Sequence, residues 1–265
     1  MDLAGSRALI TGATGGIGMA IARRLHERGA TVVLSGRQAD VLERLRAELA
    51  ERAEVLVCDL ADRDQVAALP RRAGKVDVLV ANAALPASGH LLDFEPGQID
   101  RALDVNLRAP VMLARELAPS MSERGYGHVV LVSSLSGKAG SAGSSLYSAT
   151  KFGLRGFGQG LAEDLRVAGV GVTTVFPGFI RDAGMFHESG AKLPRYVGTS
   201  TPDKVAKAVV KGIESGKLEI DVAPLGLRVG TALASVAPAT VGAIQRRFGA
   251  HEIAAEIARG QVTKR

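Results

Sequence analysis

The sequence predicts an α/β fold: a single doubly wound domain of about seven parallel strands with helices on both faces, plus a helical C-terminal extension. Three observations carry this. Short apolar runs alternate with amphipathic segments through most of the 265 residues, the pattern of right-handed βαβ crossovers. Runs such as Ala8-Leu-Ile10 and Val129–Val132 are continuously apolar, as strands buried on both faces are. A cluster of glycines, Gly12 to Gly18, falls between the first strand and the first helix.

The elements follow in order. Arg7–Thr11 reads as a short buried strand, and the glycines lead into a helix from about Ile17 to Arg28 with apolar residues at helical spacing. Thr31–Ser35 is the second strand, Asp40–Ala50 a charged amphipathic helix, Glu54–Val57 the third strand and Val76–Val80 the fourth. Helices follow near Gln98–Asp104 and over Asn106–Ser122, the latter broken early by Pro110. Val129–Val132 is the fifth strand, residues 145 to about 168 a helix, Val170–Phe176 the sixth strand and Leu218–Val222 the seventh. No repeat or linker interrupts residues 1–222, and residues 223–265 are expected to pack as helices on the same domain.

Composition bounds the setting. Aliphatic residues and alanine dominate and Trp is absent, which suits close packing of helices on a sheet. Cys58 is the single cysteine, so there is no internal disulfide and no cysteine-based zinc site, and the histidines lack metal-ligand spacing, so no metal is expected. The first residues have no signal-peptide layout, and a cytoplasmic chain is expected. The net charge of +6 comes from scattered arginines without interleaved aromatics, which argues against nucleic acid. It also assists capture of a phosphate-rich ligand.

Two constellations carry chemistry. Tyr147 and Lys151 stand at i and i+4 of a helix, on one face, with Ser134 thirteen residues upstream of Tyr147. A free Tyr titrates near ~10; a nearby ammonium favours phenolate and lowers that value, at about 1.4 kcal/mol per unit. A Tyr so tuned can exchange a proton with a substrate oxygen. The second constellation, Thr11-Gly-Ala-Thr-Gly-Gly-Ile-Gly18, puts glycines between strand and helix, where backbone can approach a pyrophosphate and a helix N-terminus offers unpaired N–H groups. A dinucleotide is the expected ligand. At the end of the second strand, where a carboxylate would hold the 2′-hydroxyl of NAD, the chain has Ser35-Gly-Arg37 and no acid before Asp40. Arg37 can bind a 2′-phosphate, so NADP(H) is expected over NAD(H).

Together these residues resemble the short-chain dehydrogenase/reductase family over about Leu3 to Val222, with Asp59, Asn82, Asn106 in Asp-Val-Asn-Leu, and Pro177-Gly178 as further landmarks. Chain length and the Ser133-Ser-Leu-Ser-Gly137 context indicate the short-form, NADP-preferring type. The resemblance implies a Rossmann-type fold and an oxidoreductase acting on a small-molecule carbonyl or secondary alcohol. It assigns Tyr147 as general acid/base, Lys151 to lower its pKa and hold the nicotinamide ribose, Ser134 to orient the substrate oxygen, and Asn106 to support a water that relays protons to Lys151. Cofactor contacts fall to Gly12, Thr14, Gly16, Ile17, Gly18, Ser35, Arg37, Asp59, Leu60, Asn82, Tyr147, Lys151, Pro177, Gly178 and Ile180. Two departures stand out. Ala84 replaces the family's usual glycine, and Asp182 stands where the family often has Thr, bringing a negative charge toward the cofactor.

Residues 178–201 are long for a connection and are expected to form a lid, with Phe179, Met185, Phe186, Leu193, Tyr196 and Val197 against a small-residue wall from Ser136 to Ser145. An apolar pocket for a bulky or extended substrate follows. His187 reads as a lid loop residue. Val229–Ile244 has no charge except that it follows Arg228, and it contains Pro238, so it is too short and broken for a membrane span. A subunit interface, a cover over the substrate cleft and a weak peripheral membrane contact each fit it, and a homo-oligomer is expected. Two other functions were weighed: a silent dinucleotide-binding sensor or scaffold, against which the full Ser134, Tyr147, Lys151 set argues, and an epimerase or dehydratase using bound NAD, against which chain length and Arg37 argue.

Overall fold

The computed structural model describes residues 1–194, 197–247 and 250–262, with the backbone alone described at 244–247 and 250–253. Seven strands, β1 (Arg7–Thr11), β2 (Thr31–Gly36), β3 (Ala53–Val57), β4 (Val78–Ala81), β5 (Gly127–Val132), β6 (Val170–Pro177) and β7 (Glu219–Val222), form one sheet in the order β3-β2-β1-β4-β5-β6-β7. Every pairing is parallel. The helices are α1 (Gly16–Glu27), α2 (Ala39–Leu49), α3 (Arg63–Ala73), α4 (Pro96–Leu103), α5 (Ala109–Glu123), α6 (Ser145–Arg166), α7 (Gly184–Ser189), α8 (Pro202–Ser215), α9 (Leu225–Val236), α10 (Pro238–Arg247) and α11 (Ala250–Gln261).

Both faces of the sheet are buried, and the two-residue period of a strand divides its side chains between them. Ala8, Ile10, Val78, Val80, Val130 and Val132 pack with Ile21 and Leu25 of α1 and Val205, Val209 and Ile213 of α8. Their neighbours Leu9, Leu79, Val129 and Leu131 pack on the other face with Leu69 of α3 and Leu113 and Leu117 of α5. Strand order reverses between β1 and β4, and at such a switch point the C-terminal strand ends diverge and leave a crevice. The glycine turn after β1 and Asn82 after β4 meet there.

Three segments differ from the sequence expectation. Arg63–Ala73 is helical although the apolar pattern names no helix between β3 and β4: Asp62 caps it by accepting from Asp64 N at 2.9 Å and Gln65 N at 3.1 Å, and Val66, Leu69 and Ala73 form its buried edge. Pro70 sits inside it, buried, because the packing of this edge outweighs one lost backbone bond. Pro110 does not break a helix: α4 runs into a π-helical turn at Asp104–Arg108 and then into α5, and the wide turn absorbs the missing Pro110 N–H. His187 lies on α7 rather than in a loop.

His128 on β5 is 2% exposed, and its Nε2 lies 2.9 Å from Thr173 Oγ1, which itself donates to the Lys217 carbonyl. Burial, and then the positive chain terminus, push its pKa down to about 4 from 6.5. The folded state therefore binds fewer protons than the unfolded state in this window, and stability is lost as pH falls through it. Between pH 7 and 4.5 the loss from this residue should be about 2–3 kcal/mol. Urea unfolding of wild type and His128→Gln at both pH values tests it; an equal acid loss in both proteins would refute the assignment.

Candidate active site

The glycine turn is shaped by what surrounds it. A Cβ on Gly12 would lie 2.8 Å from Ala83 Cα, one on Gly16 would lie 2.4 Å from Ala183 Cβ, and one on Gly18 would lie 2.1 Å from the Gly12 carbonyl oxygen. The turn thus presses on the loop after β4 and folds against itself, and Gly12 also has a φ of +67°. Thr11 Oγ1 accepts from Asn82 N at 3.1 Å and Ala83 N at 3.2 Å, and Asn82 Nδ2 donates to the Thr11 and Gly12 carbonyls at 3.0 and 3.2 Å. Asn82 is thereby the clasp that holds the turn to β4. The α1 N-cap, Gly15, makes no side-chain cap bond and the first turn carries no acid, which leaves N–H groups for an anion.

A cavity of about 610 Å³ opens over this turn, and its lining includes Gly12, Thr14, Gly16, Ile17, Gly18, Ser35, Arg37, Asp59, Leu60 and Asn82. The donors and the close backbone approach fit a dinucleotide. Arg37 is exposed at the rim, with no ion pair to its guanidinium among the described residues. Asp59 accepts from Ala61 N at 3.0 Å, and its own N–H is held by Gln65 Oε1 at 2.9 Å. Burial pushes the Cys58 thiol up to about 11, so it stays protonated at neutral pH. Arg101 of α4 lines the same cavity, and nothing in the sequence pattern marked it.

A second cavity, about 790 Å³, shares Ile17, Asn82, Ala84, Gly184 and Met185 with the first. Ser134, Tyr147, Lys151, Pro177, Gly178 and Ile180 line it. Ser134 lies two residues beyond β5 and accepts from Ser136 N at 3.1 Å, while its neighbour Ser133 donates to the Lys151 carbonyl at 2.9 Å, tying the strand end to α6. The two serines have separate tasks. Lys151 is 2% exposed; its Nζ donates to the Val132 carbonyl at 3.0 Å and lies 5.6 Å from the centre of the Tyr147 ring.

The Tyr147 phenol lies above its ordinary range rather than below it. Burial pushes the phenol up to about 12, against a hydrogen bond with Ser134 that pulls it down. The same dry surroundings push the Lys151 ammonium down to about 8. Desolvation disfavours the charged form of each.

Asn106 lies away from both cavity walls. It is fully buried in the π-helical turn, where Oδ1 accepts from Leu85 N at 2.6 Å and Nδ2 donates to Leu85 O at 3.0 Å. Its side chain thus holds the loop after β4 rather than capping a helix. Asp182 has a φ of +72°, faces solvent and lies 3.6 Å from Arg181 Nε, so its charge is not in the cavity. Ala84, by contrast, lines both cavities.

The lid carries α7, with the Phe179 and Phe186 rings 5.0 Å apart, and Met185, Phe186, Leu193 and Val197 face the second cavity. Tyr196 falls outside the described residues. The opposite wall is Ser141, Ala142, Gly143 and Ser144. Leu227 of α9 and Ala254, Ile257 and Gln261 of α11 complete the enclosure; a cover over the cleft was one of the readings open for this segment, but the sequence singled out none of the four residues. Gln261 Nε2 donates to the Met185 carbonyl at 3.2 Å, joining the end of α11 to the lid.

Comparison with known proteins agrees with this geometry. A family model described as short chain dehydrogenase matches residues 6–194. Ketoacyl reductase HetN of a Nostoc species is 35% identical over 93% of this chain and 90% of its own length. The 3-oxoacyl-(acyl-carrier-protein) reductase FabG of Rickettsia conorii is 38% identical over 68% of this chain and 75% of its own. Among solved structures, a short-chain dehydrogenase from Sphingobium yanoikuyae in complex with NADPH superposes with a TM-score of 0.77 at 29% identity, covering 92% of this chain and 95% of that one. With its glycine turn, seven-stranded parallel sheet and these relatives, the chain belongs to the short-chain dehydrogenase/reductase family, oxidoreductases that act on alcohol and carbonyl groups with a nicotinamide cofactor.

Proposed function

We propose that the chain is an NADP(H)-dependent carbonyl reductase for an apolar, bulky or extended substrate. The observation that carries this is the grouping of Ser134, Tyr147 and Lys151 on the wall of a largely apolar cavity that adjoins the dinucleotide cavity. A bound nicotinamide would supply the hydride. Ser134 orients the substrate oxygen, and Tyr147, protonated at neutral pH with a pKa about 12, donates its proton to that oxygen. Lys151, beside the ring and largely charged at neutral pH, stabilises the phenolate left behind and passes a proton back. Asn106 acts through its main-chain carbonyl as acceptor for the water that links Lys151 to solvent. A cytoplasmic setting belongs to the same reading, supported by the free, buried Cys58.

NADP(H) is preferred in this reading because Arg37 is the unpaired cation at the cavity rim and no carboxylate takes its place. Arg37→Asp should move the NADPH to NADH ratio of kcat/KM toward NADH by about tenfold or more. Parallel kinetics with the two cofactors measure this, and an unchanged ratio would remove Arg37 from the specificity.

The test of the whole is a screen of ketones, aldehydes, quinones, sterols and acyl thioesters, with NADPH and NADH in parallel. The named activities of HetN and FabG make 3-oxoacyl thioesters the first compounds to try. Turnover confined to small polar carbonyls would overturn the apolar-substrate reading.

A further inference from the structure

We propose that the outer face of α9 is a docking surface for an anionic lipid bilayer. Leu225, Val229, Leu233 and Val236 recur at intervals of four, four and three, so they form one stripe along the helix. They are 71%, 50%, 58% and 86% exposed. Scattered apolar side chains are ordinary on a surface, whereas a contiguous stripe marks a contact site. The opposite side of α9 is apolar as well: Leu227 lines the second cavity and Ala234 is buried. One helix thus separates the cavity from the outside and presents apolar side chains to both.

Charge selects what covers the stripe. Residues 222–251 contain no Asp or Glu and hold Arg228, Arg246 and Arg247. Residues 223–265 carry six Lys and Arg against two Glu, a net of +4 out of +6 for the whole chain. Arg228 beside the stripe has Asp221 at 3.9 Å, yet the segment as a whole keeps an excess of cations, and an apolar stripe in such a segment suits a helix lying in the headgroup region of an anionic leaflet. The same excess of positive charge suits a second copy of this chain poorly, because a two-fold contact would bring two segments of like net charge together. No helix among the described residues is long and apolar enough to cross a membrane, so the surface rests on the bilayer. Passage of substrate from lipid to cavity along α9 rests on the apolar-substrate reading above; the docking does not.

The full chain is floated with vesicles of phosphatidylcholine alone and of phosphatidylcholine mixed with phosphatidylglycerol. It should rise with the mixed vesicles about tenfold more than with the neutral ones, and high salt should release it. The double variant Leu225→Glu, Leu233→Glu should stay behind, with its thermal midpoint and NADPH binding unchanged. The chain has no Trp, so Leu233→Trp gives a direct signal, a blue shift of emission with mixed vesicles. The proposal is overturned if wild type stays in the aqueous fraction with both vesicles, or if the double variant still floats. A blue shift of Leu233→Trp that follows protein concentration without vesicles also overturns it, since a second copy then covers the stripe.

Discussion

Tyr147→Phe should lower kcat/KM for carbonyl reduction by about 10²- to 10⁴-fold while NADPH affinity stays within about twofold. The ring remains to fill its place in the cavity wall, and only the proton donor is lost. Wild-type rates should also carry the signature of Lys151, whose ammonium is pushed down to about 8. Since the charged form stabilises the phenolate, the reductive rate should hold through neutral pH and decline above about 8 as that proton leaves. Steady-state kinetics across pH, with NADPH binding followed separately, distinguish the two effects. Full activity in Tyr147→Phe would remove the proton donor from the mechanism, and a silent sensor would show no turnover in either protein.

Gly18→Ala is expected to be nearly as damaging, by a different route. The added methyl would lie 2.1 Å from the Gly12 carbonyl oxygen, 2.8 Å from its carbon and 2.9 Å from Ala13 Cα. All three are backbone atoms, so the turn itself must move. A loss of roughly 2–4 kcal/mol in stability and at least about tenfold in NADPH affinity should follow. Gly15→Ala is the internal control: its φ of −84° suits any residue and its nearest neighbour, Gly12 O, is 3.6 Å away. It should stay within about 1 kcal/mol of wild type. Urea unfolding and NADPH titration of both variants test the pair, and similar effects would show that close packing of the turn is not what binds the cofactor.

Much of this architecture was readable because strong local signals agreed. Continuous apolar runs separated by amphipathic segments place the strands, and the glycine turn and the Ser134, Tyr147, Lys151 spacing place the site. The misses have physical causes. Arg63–Ala73 contains Pro70 and paired arginines, and the Asp62 cap together with its buried edge outweighs them. Pro110 signals a break, yet a π-helical turn accommodates it within a continuous helical rod. The direction of the Tyr147 shift depends on how much water the folded pocket excludes, a quantity absent from an i, i+4 spacing. Asn82 and Asn106 reveal their tasks only through backbone partners more than twenty residues away along the chain or brought in from another strand. Ile257 and Gln261 could not be assigned because no periodicity says against which wall a terminal helix will lie.

The enclosure of the second cavity by α9 and α11 divides the chain's labour. In the proposed reaction the proton-transfer residues Ser134, Tyr147 and Lys151 lie within the stretch that the family model matches, whereas part of the second cavity's wall comes from the lid and from α9 and α11, the helices lying beyond that stretch. Heritable change in the final segment can therefore alter which molecule is accepted without disturbing the reaction, and the two properties are free to evolve at different rates.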